Sequence, residues 1–183
     1  MTEEKKETWL NYLALTTVVL AVCATLSTFK GGGYSTRSVL NQSHAANQWA
    51  FYQAKSIKGY LYELQKEKLD LELQSMGGKA PRGLVEEYEK RIAYYAKTIQ
   101  RYEGEKAQIQ RDAKEFEAQH EDAAMHARIF GVAVIFLQLA ILLSSIAALM
   151  KRKLLWCVGL GVGGVGGVYF ADGFFLFLPA GLI

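Results

Sequence analysis

The sequence predicts an all-α fold: three transmembrane helices plus a long antiparallel coiled-coil helical hairpin outside the membrane. Three observations lead there. Residues 9–29, 129–150 and 154–171 are apolar and carry no charged side chain. The long section 30–128 between the first two is rich in charge, and its apolar residues recur with the four-three spacing of a helix packed along a seam. A single cluster of helix breakers, at 76–83, divides that section in two.

Composition supports the same division. Of the 183 residues 51% are hydrophobic and 21% charged, too apolar for disorder and too charged for a simple membrane bundle, so the two kinds of residue must be segregated.

The N-terminal segment, residues 1–8, mixes Glu3, Glu4, Lys5, Lys6 and Glu7. The first span, 9–29, covers a ~30 Å hydrocarbon layer at ~1.5 Å per helical residue. Its apolar run is long for a cleaved signal peptide and its flank is acidic as well as basic, so it reads as an uncleaved signal anchor. Lys30-Gly-Gly-Gly-Tyr34 follows, and three successive glycines predict a hinge or sharp bend there.

The first hairpin helix is expected from about Ser38 to Ser75, with a seam of Leu40, Asn47, Ala50, Ala54, Ile57, Leu61, Leu64, Lys68 and Leu71. At 76–83 tandem glycines end it, and Pro81 suits the first turn of the next. From Val85 the second seam reads Val85, Tyr88, Ile92, Tyr95, Ile99, Tyr102, Lys106, Ile109, Ala113, Phe116, His120, Ala123 and Ala127. Neither Pro nor Gly interrupts 105–130, so this helix should continue into the second span, 129–150. Folding about the short break gives an antiparallel hairpin that pairs Leu64 with Tyr95, Ile57 with Tyr102 and Ala50 with Ile109.

Lys151, Arg152 and Lys153 form the loop 151–153 and account for most of the net charge of +3. Short basic loops stay in the cytoplasm, which puts the N-terminus there too and section 30–128 on the opposite side. The third span, 154–171, leads to an apolar C-terminal tail, 172–183, that opens with Asp172 at the far interface.

The function classes narrow accordingly. Section 30–128 is nearly charge-balanced, which leaves no basic face for nucleic acid. There is no Gly-x-Ser-x-Gly, no His-Glu-x-x-His and no phosphate-cradling loop after a strand, so catalytic residues, cofactor and metal are all expected to be none. Cys23 and Cys157 fall near opposite faces, too far apart to bridge. His44, His120 and His126 match no ligand spacing, although the hairpin brings His44 near the turn holding Phe116 and His120.

What remains points to contacts. Trp49, Phe51, Tyr52 and Tyr60 lie off the first seam and are anchor types that interfaces prefer. Gly159, Gly163 and Gly167 stand four apart and form a smooth groove for a neighbouring helix, within the chain or between chains.

The stretch Ala46-Asn-Gln-Trp-Ala-Phe-Tyr-Gln-Ala-Lys-Ser-Ile-Lys58 resembles the signature of a bacterial membrane-protein family catalogued as domain of unknown function 4337. The resemblance implies the same layout of one span, a helical middle and two further spans. It also implies a bacterial envelope protein, hence the cytoplasmic (inner) membrane with the hairpin in the periplasm. The expected function is a non-enzymatic assembly or scaffold protein of that membrane, a homo-oligomer or an accessory subunit of a larger complex. The alternative is a small oligomeric channel or channel modulator.

Overall fold

The computed structural model describes residues 4–77 and 81–178. Residues 1–3 of the N-terminal segment, 78–80 at the centre of the break and 179–183 of the apolar tail lie outside the described residues. Among the described residues the fold is all-helical, with α1 (Glu4–Ser75), α2 (Arg82–Met150) and α3 (Lys153–Phe175). Each of the three is long and apolar enough to cross a membrane.

The helix ends follow local chemistry. Gly77 takes the left-handed conformation, φ 53°, and its N–H donates to the Gln74 carbonyl. That is the glycine-terminated C-cap expected of the tandem glycines. Pro81 stands just ahead of α2, where its carbonyl accepts the N–H groups of Leu84 and Val85. At the end of α2 the N–H of Arg152 reaches the Ala147 carbonyl and that of Lys151 the Ala148 carbonyl. Lys151, at φ 53°, thus fills the left-handed position that glycine usually takes in this motif.

The bend predicted at residues 31–33 is absent, because α1 passes through all three glycines as a continuous helix. The reason lies in packing. A Cβ on Gly31 would stand 3.0 Å from the Phe130 Cβ, so the missing side chain lets α1 approach α2 closely. One turn on, Tyr34 stacks on His126 at 4.4 Å and on Phe130 at 6.0 Å. These contacts offset a helix penalty of about 1 kcal/mol per glycine.

The chain divides into two compact units. One comprises the described parts of Met1–Leu40 and Gln119–Ile183, the other Asn41–Ala118. In the first, α1 runs antiparallel to α2 and parallel to α3. Trp156 Nε1 donates to Thr16 Oγ1, and Lys30 lies over the Phe174 ring. Its core collects Trp9, Leu13 and Ala147 at one end, and Ile129, Phe130, Ala133, Leu137 and Ala140 along α2. Phe130 is fully buried, edge-on to Phe170 and Phe174.

In the second unit α1 and α2 pair antiparallel, as the contacts Trp49–Glu117, Lys55–Glu105, Tyr62–Tyr95 and Glu72–Tyr88 record. The alternation read on α2 falls on its packed face: Val85, Tyr88, Ile92, Tyr95, Ile99, Tyr102, Lys106, Ile109, Ala113 and Phe116 are all buried or half-buried.

On α1 the packed face is not the predicted one. Leu64, Ile57 and Ala50 are exposed, and Tyr62 takes the place facing both Tyr95 (5.6 Å) and Tyr102 (5.8 Å). The face that packs instead carries Ala45, Trp49, Tyr52, Lys55, Tyr62, Leu69 and Leu73. An aromatic side chain buries 150–250 Å², so a face with Trp49, Tyr52 and Tyr62 gains more contact than one whose upper half is Ala50 and Ala54. The Trp49 indole N–H also reaches Glu117 on α2, which a leucine face cannot do.

Candidate interaction surface

Because the aromatic face of α1 is turned to α2, its other apolar stripe is left outward. Ile57, Leu61, Leu64 and Leu71 keep 61%, 56%, 61% and 58% of their surface exposed. With Asn47, Ala50, Ala54 and Lys68 they form an unbroken three-four alternation along one side of α1, every member of which is exposed. The stripe first read as the hairpin's inner seam is therefore an outer one.

The four aromatic candidates divide between the two faces. Trp49 and Tyr52 are half-buried and meet edge to face at 5.6 Å; the Trp49 indole N–H donates to Glu117 Oε1 at 2.8 Å. Phe51 and Tyr60 are 50% and 59% exposed and border the outward stripe. They are held by cations from beneath. Lys55 Nζ lies 5.3 Å from the Phe51 ring and 5.2 Å from that of Tyr102, while Lys106 Nζ lies 5.5 Å from Tyr52 and 5.9 Å from Tyr60. Such contacts fix the orientation of half-exposed rings.

The charges that hold this arrangement are themselves paired. Lys55 donates to Glu105, and that hydrogen bond holds the Glu105 carboxyl below the usual carboxylate range. Lys106 is buried and donates to Glu103 at 2.7 Å, which pushes its ammonium above the ordinary lysine value against the opposing effect of burial. Tyr88 donates to Glu72 at 3.1 Å, and this bond raises its phenol.

The glycine groove of α3 faces the chain's own helices. A Cβ on Gly159 would stand 3.2 Å from Leu143 Cβ and 3.3 Å from the Ala140 carbonyl oxygen. On Gly163 it would meet Leu20 at 2.8 Å and Ala140 at 3.2 Å. Gly167 does not share this face, since a Cβ there meets nothing within 4 Å. Its place is taken by Gly166 against Leu137 and by Gly173 against the Phe130 ring. The close contact thus runs Gly159, Gly163, Gly166 and Gly173, a four-three spacing that the strict interval of four did not capture.

Asp172 is fully buried at the end of α3. Its Oδ1 accepts the Leu178 N–H at 2.8 Å and its carbonyl accepts that of Leu176, also at 2.8 Å, so it closes the end of α3. Its Oδ2 has no hydrogen-bond partner among the described residues. Nearby, His126 Nδ1 lies 2.8 Å from the Gly173 carbonyl. The His44 ring lies tilted against Phe116, centroids 5.2 Å apart, as the hairpin geometry led one to expect. No group of three or more His, Cys, Asp or Glu side chains suited to a metal ion occurs among the described residues.

No curated protein and no solved structure matches the chain. A family model does match, over residues 9–176, which takes in all three apolar segments and the whole of the section between them. The chain belongs to the family described as Domain of unknown function (DUF4337).

Proposed function

We propose that this protein is a non-enzymatic assembly or scaffold protein of a bacterial cytoplasmic membrane, working as a homo-oligomer or as an accessory subunit of an envelope complex. The observation that carries this reading is the outward stripe of α1. A large apolar surface left open along a charged, otherwise well-solvated helix is a contact surface.

In this reading residues 9–29, 129–150 and 154–171 are the spans. Exposed Leu15, Val18, Val22, Leu139, Leu142 and Val165 supply a lipid-facing surface that suits it. The basic loop 151–153 lies on the cytoplasmic side with the N-terminus, by the rule that short cytoplasmic loops carry the excess of Lys and Arg. Section 30–128 then stands in the periplasm as an antiparallel coiled-coil hairpin. Aromatic side chains at the border of the stripe, Phe51 and Tyr60, supply the anchors.

The test is the mass and composition of the particle extracted from its native membrane in polymer-bounded lipid discs. A discrete homo-oligomer or a defined hetero-complex is expected. A clean monomer would remove the basis for an assembly role.

A further inference from the structure

The outward stripe of α1 has the internal order of a second coiled-coil seam. Numbered as heptads, Asn47, Ala54, Leu61 and Lys68 take the a positions, and Ala50, Ile57, Leu64 and Leu71 the d positions. Phe51, Lys58, Gln65 and Glu72 follow as e, and Gln53, Tyr60 and Glu67 as g. We infer that the occupant of this stripe is a second copy of the same chain, its α1 lying parallel and in register along the first. The inference rests on the assembly reading above and names the partner within it.

Three features favour a copy over an unrelated protein. The first is direction. Two copies crossing one membrane in the same sense present α1 in the same direction, so every layer meets itself: Ile57 against Ile57, Leu61 against Leu61, Leu64 against Leu64.

The second is the kind and place of the polar residues. An Asn at one a position fixes register and favours two parallel strands, because the two amides bond to each other only when aligned. Asn47 stands at such a position. Lys68, exposed at another, has Glu67 at its g edge and Glu72 at its e edge. In a parallel pair the two Lys68 side chains meet in one layer, and Glu67 and Glu72 of both chains border that layer and offset the repulsion between the ammoniums. Glu72 is already oriented by Tyr88 and lies 3.8 Å from Lys68 in the single chain.

The third is size. Ile57, Leu61, Leu64, Leu71, Phe51 and Tyr60 each expose half or more of their surface. Together they offer on the order of 600 Å² per chain, and Ala50, Ala54 and the flanking polar residues bring the total near the ~800 Å² per partner of a stable interface.

Disulfide trapping in native membranes tests this on the full chain. Cys23 and Cys157 are first replaced by alanine; then single cysteines are placed at Ile57→Cys, Leu61→Cys and Leu64→Cys, with Ala93→Cys and Lys97→Cys, exposed on α2, as controls. A disulfide needs Cα atoms within about 7 Å, which in a parallel pair holds for in-register a and d layers. The expected result is a shift of most of the band from monomer to dimer at positions 57, 61 and 64, and none at 93 and 97. Equal cross-linking at all five positions would reduce the dimer to random collision and overturn the inference. No cross-link at 57, 61 and 64 in a particle with the mass of two or more copies would leave self-assembly standing and overturn this pairing. The same silence in a defined hetero-complex would give the stripe to another protein. A monomeric particle would overturn this inference and the assembly reading together.

Discussion

Gly166 and Gly161 lie on the same helix, and what a methyl group would meet separates them. A Cβ on Gly166 would stand 3.0 Å from the Leu137 backbone nitrogen and 2.9 Å from Leu137 Cγ, and backbone of a packed helix cannot give way as a side-chain tip can. On Gly161 it meets nothing within 4 Å. Gly166→Ala is therefore expected to destabilise the protein by roughly 1–3 kcal/mol, as overpacking does. Gly161→Ala should stabilise it by about 0.5–1 kcal/mol through helix propensity alone. Unfolding of the two variants in the same detergent checks both signs. The Lys55–Glu105 pair makes a second residue-scale prediction. The folded state holds Glu105 below the usual carboxylate range, so its contribution to stability is full above that range and is lost as pH falls through the depressed value. Glu105→Gln should weaken the hairpin at neutral pH and reduce its loss of stability on acidification, read as a smaller drop in melting temperature between neutral and acid buffer. An unchanged acid response would remove Glu105 from the account of it.

Among the elements, α1 departs furthest from its sequence expectation and α2 least. The four-three alternation of α2 has only one strongly apolar face, and that face is the one packed. Helix α1 has two. Periodicity locates both stripes but does not rank them, and the choice rests on aromatic area and on the polar partners Glu117, Glu105 and Glu72, which stand on the two helices far apart in sequence. The glycine run at 31–33 was misleading for a related reason. Propensity treats the three alike, whereas only Gly31 lies against another helix; Gly32 and Gly33 have open space where a Cβ would stand. Gly32→Ala and Gly33→Ala should each stabilise α1 by about 0.5–1 kcal/mol, while Gly31→Ala crowds Phe130 and should not. Melting temperatures of the three single variants give the comparison; equal gains at all three would mean that the close approach at Gly31 is not retained in the membrane. Asp172 was legible as a helix-end residue but not as a buried one, since the Leu178 N–H that it accepts follows it only after the helix has ended.

At the scale of the whole molecule, two kinds of exposed apolar surface coexist and call for different surroundings. That on residues 9–29, 129–150 and 154–171 suits lipid and needs no specific partner. The stripe from Ala50 to Leu71 lies among Lys58, Glu63, Gln65, Glu67 and Lys68, a setting that suits water rather than hydrocarbon, and the proposed assembly would cover it. Since Leu61 and Leu64 touch little within their own chain, polar residues there should leave the monomer fold intact and remove the contact. The decisive measurement is the particle mass of the Leu61→Gln/Leu64→Gln double variant beside the parent chain, both extracted in the same native-lipid discs. A parent complex of two or more chains, and a variant reduced to single chains with the same helix content, is the expected pair of results. A double variant that keeps the parent's mass would contradict the assignment of this stripe as the assembly surface.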